Sequence, residues 1–188
     1  MTIRFSEESK LLLGNWEAYQ DVLKADRRLR TELQQAVGTI QSRLRKSDFW
    51  NSSWHFQPSS SQIYIWHDNW KRENETLIWI GVENASLEGI LCDGEPASGY
   101  VWVSKSQATT LVDELRMIFN KNGTEGHGEV TTGKSSYVLQ QDLPKCLPED
   151  IDRFESAFLE PLTTFITHYA RCEPIITKSV QEYIKTLK

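Results

Sequence analysis

The sequence predicts an α+β fold, in which an antiparallel β-meander of four to five strands packs with amphipathic helices from both ends of the chain. Two observations carry this. Apolar residues recur at helical spacing over 6–46 and again after 105, whereas 62–104 alternates with period two and is punctuated by short turns. Elements follow in the order helices, meander, helix, strand, helices, which is not the alternating βα order of a nucleotide-binding sheet. The length of 188 residues points to one domain over 1–188, with a helical segment over 1–47, the meander over 62–104 and a helix-strand-helix-helix segment over 105–188. A chain of this size buries enough surface to fold without disulfides or metal.

Over 6–46, Leu12, Trp16, Tyr19 and Leu23 share a helix face, and Leu29, Leu33, Val37, Ile40 and Leu44 continue it. The polar stretch 24–28 interrupts the stripe, so one long helix and two shorter ones both fit. Strands are predicted at 62–68, 76–84, 87–92 and 99–104. Residues 69–75 form a polar hairpin loop, and Asp93-Gly94-Glu95-Pro96 is turn chemistry. Short connections make neighbouring strands antiparallel. A helix follows over 106–121, then a polar, glycine-bearing loop over 123–135 and a short strand over 136–141. Pro148 opens a helix with Ile151, Phe154, Phe158, Leu162, Phe165 and Tyr169 on one face, in which Pro161 predicts a kink or a solvent-facing break. Pro174 opens the last helix.

Alternation gives the meander two apolar faces. Ile63, Ile65, Ile78, Ile80, Val82, Val101 and Val103 fall on one; Tyr64, Trp66, Trp79, Tyr100 and Trp102 fall on the other. Gly81 shares the aromatic side and leaves room for a ring or a backbone. Six of the seven tryptophans lie between Trp50 and Trp102. An aromatic face is either core beneath a helix or a binding surface. Because several amphipathic helices need cover, much of this face is expected to be internal, with the exposed contacts at its margin, where Trp70 lies in a loop near His67 and Asp68. Trp66, Trp70, Trp79, Tyr100 and Trp102 are the candidate binding residues. Trp50 and Trp54 have helical spacing and are expected to plug one end of the sheet.

The chain carries net charge −5, yet 21–46 is about +4. The bland account of that segment is a solvated helix face; a phosphate contact through Arg27, Arg28, Arg30, Arg43 and Arg45 is the one route to nucleic acid that the charge leaves open. The meander and its loops are net acidic, which favours a protein partner over bases and their phosphates. Cys92, Cys146 and Cys172 form neither a disulfide pattern nor a metal knuckle. Free thiols suit a reducing cytoplasm. No apolar run approaches the length of a membrane span or of a signal peptide.

Catalytic motifs are sparse. Residues 128–135, Gly-Glu-Val-Thr-Thr-Gly-Lys-Ser, match the letters of a phosphate-binding loop. The surrounding sequence predicts neither the buried strand before it nor the helix after it, so a surface loop is the simpler account. His55, His67 and Asp68 would make a metal site only if the fold gathered them. His67, Asp68 and Glu83 end neighbouring predicted strands and are the catalytic candidates of a metal-dependent nuclease or hydrolase, active or degenerate. Ala85 stands where an E-x-K lysine belongs, and Lys105 and Lys134 are the substitutes. No histidine accompanies Cys92, and no nucleophile elbow is present. The leading expectation is a non-enzymatic cytoplasmic protein of inhibitor, immunity or adaptor type that binds another protein and needs no cofactor.

Overall fold

The computed structural model describes residues 6–59, 61–91, 94–104, 108–122, 127–132 and 136–187. They form six α-helices and a six-stranded antiparallel sheet, an α+β fold. The chain divides into two compact units, Met1–Gly38 and Thr39–Lys188. Among the described residues no helix is long and apolar enough to cross a membrane.

The first unit is helical. Helix α1 (Glu7–Gly14) starts at Ser6, whose side chain accepts a hydrogen bond from the Ser9 amide at 3.2 Å, a serine N-cap. It stops at Gly14-Asn15, a helix-ending pair, and Asn15 returns its side-chain amide to the Leu11 carbonyl at 2.9 Å. Helix α2 (Trp16–Arg45) then runs unbroken into the second unit. The break therefore lies at Asn15 and not at the polar stretch 24–28. Ion pairs at i,i+3 and i,i+4, Lys24–Asp21 and Arg30–Asp26, bridge successive turns of that stretch.

The second unit holds the sheet. Strands β1 (Trp54–Pro58) and β2 (Ile63–His67) lead through a single 3₁₀ turn at Asp68–Trp70 into a small hairpin, β3 (Lys71–Arg72) and β4 (Glu75–Thr76). Strand β5 (Ile78–Glu83), helix α3 (Leu87–Leu91) and strand β6 (Ser98–Val103) follow, then α4 (Ala108–Asn122), β7 (Glu129–Val130) and β8 (Tyr137–Asp142). A 3₁₀ segment, Pro148–Arg153, and a π turn, Glu155–Leu159, lead into α5 (Glu160–Ala170), and α6 (Glu173–Thr186) ends the described chain. The strand order is β1-β2-β5-β6-β8-β7.

Two predicted elements are corrected. Residues 87–91 are helical: Leu87 and Ile90 are buried at i,i+3 spacing, and Ser86 caps the turn by accepting from the Gly89 amide at 3.4 Å. An apolar run this short fits either period. Trp54 does not end a helical plug but begins β1, which pairs with β2 in the register Trp54↔His67 and His55↔Trp66. Pro161 lies where the π turn Glu155–Leu159 passes into α5 with helical backbone on both sides, so the helical hydrogen-bonding pattern changes next to the proline.

The aliphatic face packs under helices. Ile63, Ile65, Ile78, Ile80, Val82, Val101 and Val103 are buried, with α5 packed on β5 and β6 and α4 on β6 and β8. A Cβ at Gly99 would stand 2.8 Å from the Phe165 ring, so only glycine lets α5 approach this closely. At one end of the sheet Trp70 is buried, with 0% of its surface exposed. It meets Trp54 edge-on at 5.2 Å, and its indole N–H donates to Thr177 Oγ1 of α6 at 3.1 Å. A loop tryptophan here can reach a partner or fold back onto the core, and the structure shows the second: the 3₁₀ turn folds Trp70 inward as the bolt between sheet and α6, so it is not an exposed binding residue.

Trp70→Ala removes a fully buried indole, and the expected cost is about 3–5 kcal/mol of unfolding free energy, read from urea denaturation. A loss under about 1 kcal/mol would show that the ring is not a core anchor.

Candidate functional site

The other face of the sheet carries the site. Cross-strand neighbours share a face, so the pairs Trp79↔Trp102 and Gly81↔Tyr100, with Tyr100↔Gln140 beyond, set rings and polar groups side by side. Trp66, Trp79, Trp102, Tyr64 and Tyr137 are half-buried, and Tyr100 is 7% exposed. Trp79 and Trp102 lie 4.7 Å apart, and Tyr100 meets Tyr137 edge-on at 5.8 Å. A concavity of about 420 Å³ opens between them, lined by Gln62, Tyr64, Trp79, Glu83, Tyr100, Trp102 and Tyr137.

Two backbone features shape this cleft. Gly81 lies under Tyr100, one of its walls: a Cβ there would come within 2.8 Å of Tyr100 Oη and 2.5 Å of the Ile63 carbonyl. With only a hydrogen at 81, the Tyr100 ring lies down across β5. Opposite it, a register shift between Val101 and Trp102 leaves Val138 as an extra residue in β8, since Val101 pairs with Leu139 and Trp102 with Tyr137. Val138 and Leu139 are both buried, and Tyr137 is thereby turned to the aromatic face. Arg116 of α4 fastens the bulge, donating to the Tyr137 carbonyl and to Thr131 Oγ1, each at 2.8 Å.

Glu83 supplies the charge. It ends β5, where Asn84 takes φ +54°, a left-handed conformation that asparagine tolerates. Its carboxylate accepts from Tyr137 Oη at 2.8 Å and from Gln140 Nε2 at 3.3 Å. Burial, then the hydrogen bond to Glu83, pushes the Tyr137 phenol up to about 12. Tyr100 is raised further, by burial and then by the negative charge of Glu83. Both phenols stay neutral across the physiological range.

Of the predicted catalytic and metal residues, His55 and Asp68 meet, whereas His67 and Glu83 do not join them. His55 and His67 occupy adjacent strands but pair with Trp66 and Trp54 respectively, so they project from opposite faces of the sheet. His55 stacks on Trp66 at 5.2 Å, and its Nε2 pairs with Asp68 Oδ1 at 2.8 Å. Asp68 also accepts from Lys71 at 2.8 Å; those two hydrogen bonds, Lys71 first, hold its carboxyl below the ordinary value. Among the described residues no group of three or more His, Cys, Asp or Glu side chains is placed to hold a metal ion. Asp68 and Glu83 are also apart. Because β2 and β5 are antiparallel, the end of β2 lies beside the start of β5, and the five steps from Ile78 to Glu83 span about 16 Å at 3.3 Å per residue. The match at 128–135 enters β7 and is followed by β8, a strand where a phosphate loop needs a helix; Gly133, Lys134 and Ser135 lie outside the described residues, as do Cys92 and Lys105. In the basic segment, Arg30 pairs with Asp26 and Arg43 with Glu155 at 2.7 Å, while Arg27, Arg28 and Arg45 are exposed.

Tyr137, Gln140 and Gln62 belong to the cleft region and are not evident from the sequence. The bulge hides Tyr137, since strict alternation would send it inward with Leu139. Comparison with protein-family models, with curated proteins and with solved structures finds no match for this chain.

His67 has a structural place. It is buried beside Trp54 and Trp70, and its Nδ1 accepts from the Asn69 amide at 3.2 Å, the role of a neutral ring. Burial holds its pKa below the ordinary 6.5, against the opposing pull of Glu173, whose Oε1 lies 3.5 Å from Nδ1. With the folded value depressed, the unfolded chain binds the extra proton first. Stability is therefore complete above about pH 6.5 and falls as pH drops through and below it. Denaturant unfolding between pH 7.5 and 5.5 is expected to show a steeper loss in the native protein than in His67→Gln, by at most about 1.4 kcal/mol per pH unit. Equal slopes would assign the loss to other groups.

Proposed function

We propose that this protein works by binding another protein through the aromatic face of its sheet, as an inhibitor, immunity protein or adaptor does. The observation that carries this reading is the half-exposed cluster of Trp79, Trp102, Tyr64 and Tyr137 around an open concavity. Rigid rings give large contact area at small entropy cost, and tryptophan and tyrosine dominate binding hot spots. A stable monomer gains nothing from wetting rings that a helix would cover. The aliphatic face of the same sheet has such helices over it, so the contrast between the faces favours a partner for the aromatic one. The buried Cys146 and the half-buried Cys172, both free thiols, suit action in the cytoplasm.

The surface chemistry favours protein over nucleic acid. The six strands of the sheet contain no lysine or arginine, and base stacking needs cations nearby to neutralise phosphates. The test is affinity capture from the native host with the wild-type chain and with Trp79→Ala/Trp102→Ala. A specific protein retained by the wild type should be lost by about tenfold or more from the double variant, while circular dichroism shows the variant folded. A partner held equally by a folded double variant, or none captured by either chain, would sink the proposal.

A further inference from the structure

We infer that the cleft receives an arginine side chain from the protein partner, stacked on the aromatic rings and ion-paired with Glu83; this rests on the binding role proposed above. The walls are aromatic on several sides, and ring faces attract cations through their quadrupole. One wall carries a carboxylate whose recorded hydrogen-bond donors, Tyr137 Oη and Gln140 Nε2, are neutral. Each carboxylate oxygen has a second lone-pair site, so both keep one acceptor position after these bonds are made.

The electrostatics point the same way. Gln140 pairs with Glu129, and Ser98 pairs with both Glu83 and Asp142. Cross-strand partners share a face, so Glu129 and Asp142 stand on the same side of the sheet as Glu83. Three carboxylates and no strand-borne lysine or arginine make this face a counter-surface for a cation. His55, the strand histidine that projects from this face, is engaged with Asp68.

Arginine fits better than lysine. A guanidinium is flat, weakly hydrated and stacks on rings, whereas an ammonium is a compact, strongly hydrated point charge. The fork of N–H donors can meet the two remaining acceptor positions of Glu83 together. The volume of about 420 Å³ accommodates such a side chain and part of its backbone.

The experiment is an NMR titration of the full chain, following the indole N–H signals of Trp79 and Trp102. The probes are Nα-acetyl-arginine amide, its neutral isostere Nα-acetyl-citrulline amide, and Nα-acetyl-lysine amide. Saturable shifts in the millimolar range are expected with the arginine probe, with affinity reduced about tenfold or more for citrulline and in Glu83→Gln. Lysine should bind more weakly than arginine. Glutamine at 83 still accepts from Tyr137, so the fold of this variant is retained. No shift with the arginine probe, equal binding of citrulline, equal binding of lysine or an unaffected Glu83→Gln each overturns the inference. The two proposals fail separately. A captured partner that depends on Trp79 and Trp102 yet ignores Glu83→Gln leaves the binding role standing and removes the arginine.

Discussion

The alternation of side chains along six antiparallel strands is the constraint on which the rest of this structure depends. In β2, β5 and β6 it sorts the apolar residues into aliphatic on one side and aromatic on the other. Among the described residues of the second unit, α4 and α5 pack on the aliphatic side. Branched aliphatic residues make a low, even surface, and Gly99 removes the one Cβ that would hold Phe165 away. On the opposite side Gly81 has the converse effect. It makes a hollow into which a ring of the sheet itself settles. Two glycines on adjacent strands thus serve the two faces, one admitting a helix and the other shaping a cleft.

The same constraint explains why the sheet ends differ. Where β2 runs out, His67 projects to the covered side, and the chain turns Trp70 inward to donate to Thr177. Glu173, a turn earlier on α6, accepts from Thr177 and from Asn69. This corner is a closed polar chain beneath a buried indole, and it suits joining sheet to helix. At the far end of β5 the parity is opposite: Glu83 projects to the uncovered side, into the cleft. Its two hydrogen bonds come from the neighbouring part of β8. One charged residue is thereby fixed in direction without being neutralised.

Much of the fold was legible because period is a strong signal over several turns or strands. The stripe of α2, the two faces of β2, β5 and β6, and the helices α5 and α6 follow from it, although Pro148 opens a 3₁₀ segment and a π turn before α5 and Ile151 is exposed. What failed was short or depended on pairing. Five residues at 87–91 fit both periods, and the cap by Ser86 decides between them. Trp54 reads as helical until its pairing with His67 is seen. Strand direction separates Asp68 from Glu83, and strand parity separates His55 from His67; neither is visible to a reading that only notes which residues end strands. Tyr137 is the most instructive case. Alternation assigns it to the core, and a single extra residue, Val138, reverses that assignment. A bulge costs one residue of sequence and changes which chemistry a face displays.

The position of Tyr137 also bears on what kind of site this is. A general acid or base needs a pKa near the working pH. The phenol of Tyr137 is pushed away from that range, by burial and by its bond to Glu83, and Tyr100 is pushed in the same direction. The hydroxyls of Tyr100 and Tyr137 therefore hold their protons, and Glu83 is held by neutral donors. In such an arrangement the charge and the dipoles around it are set before any ligand arrives. Preorganised groups of this kind favour recognition, since little ordering remains to be done on association. In the proposed role the cleft uses that rigidity directly. Aromatic faces supply area, one aimed carboxylate supplies direction, and Gly81 and the Val138 bulge set the distance between them.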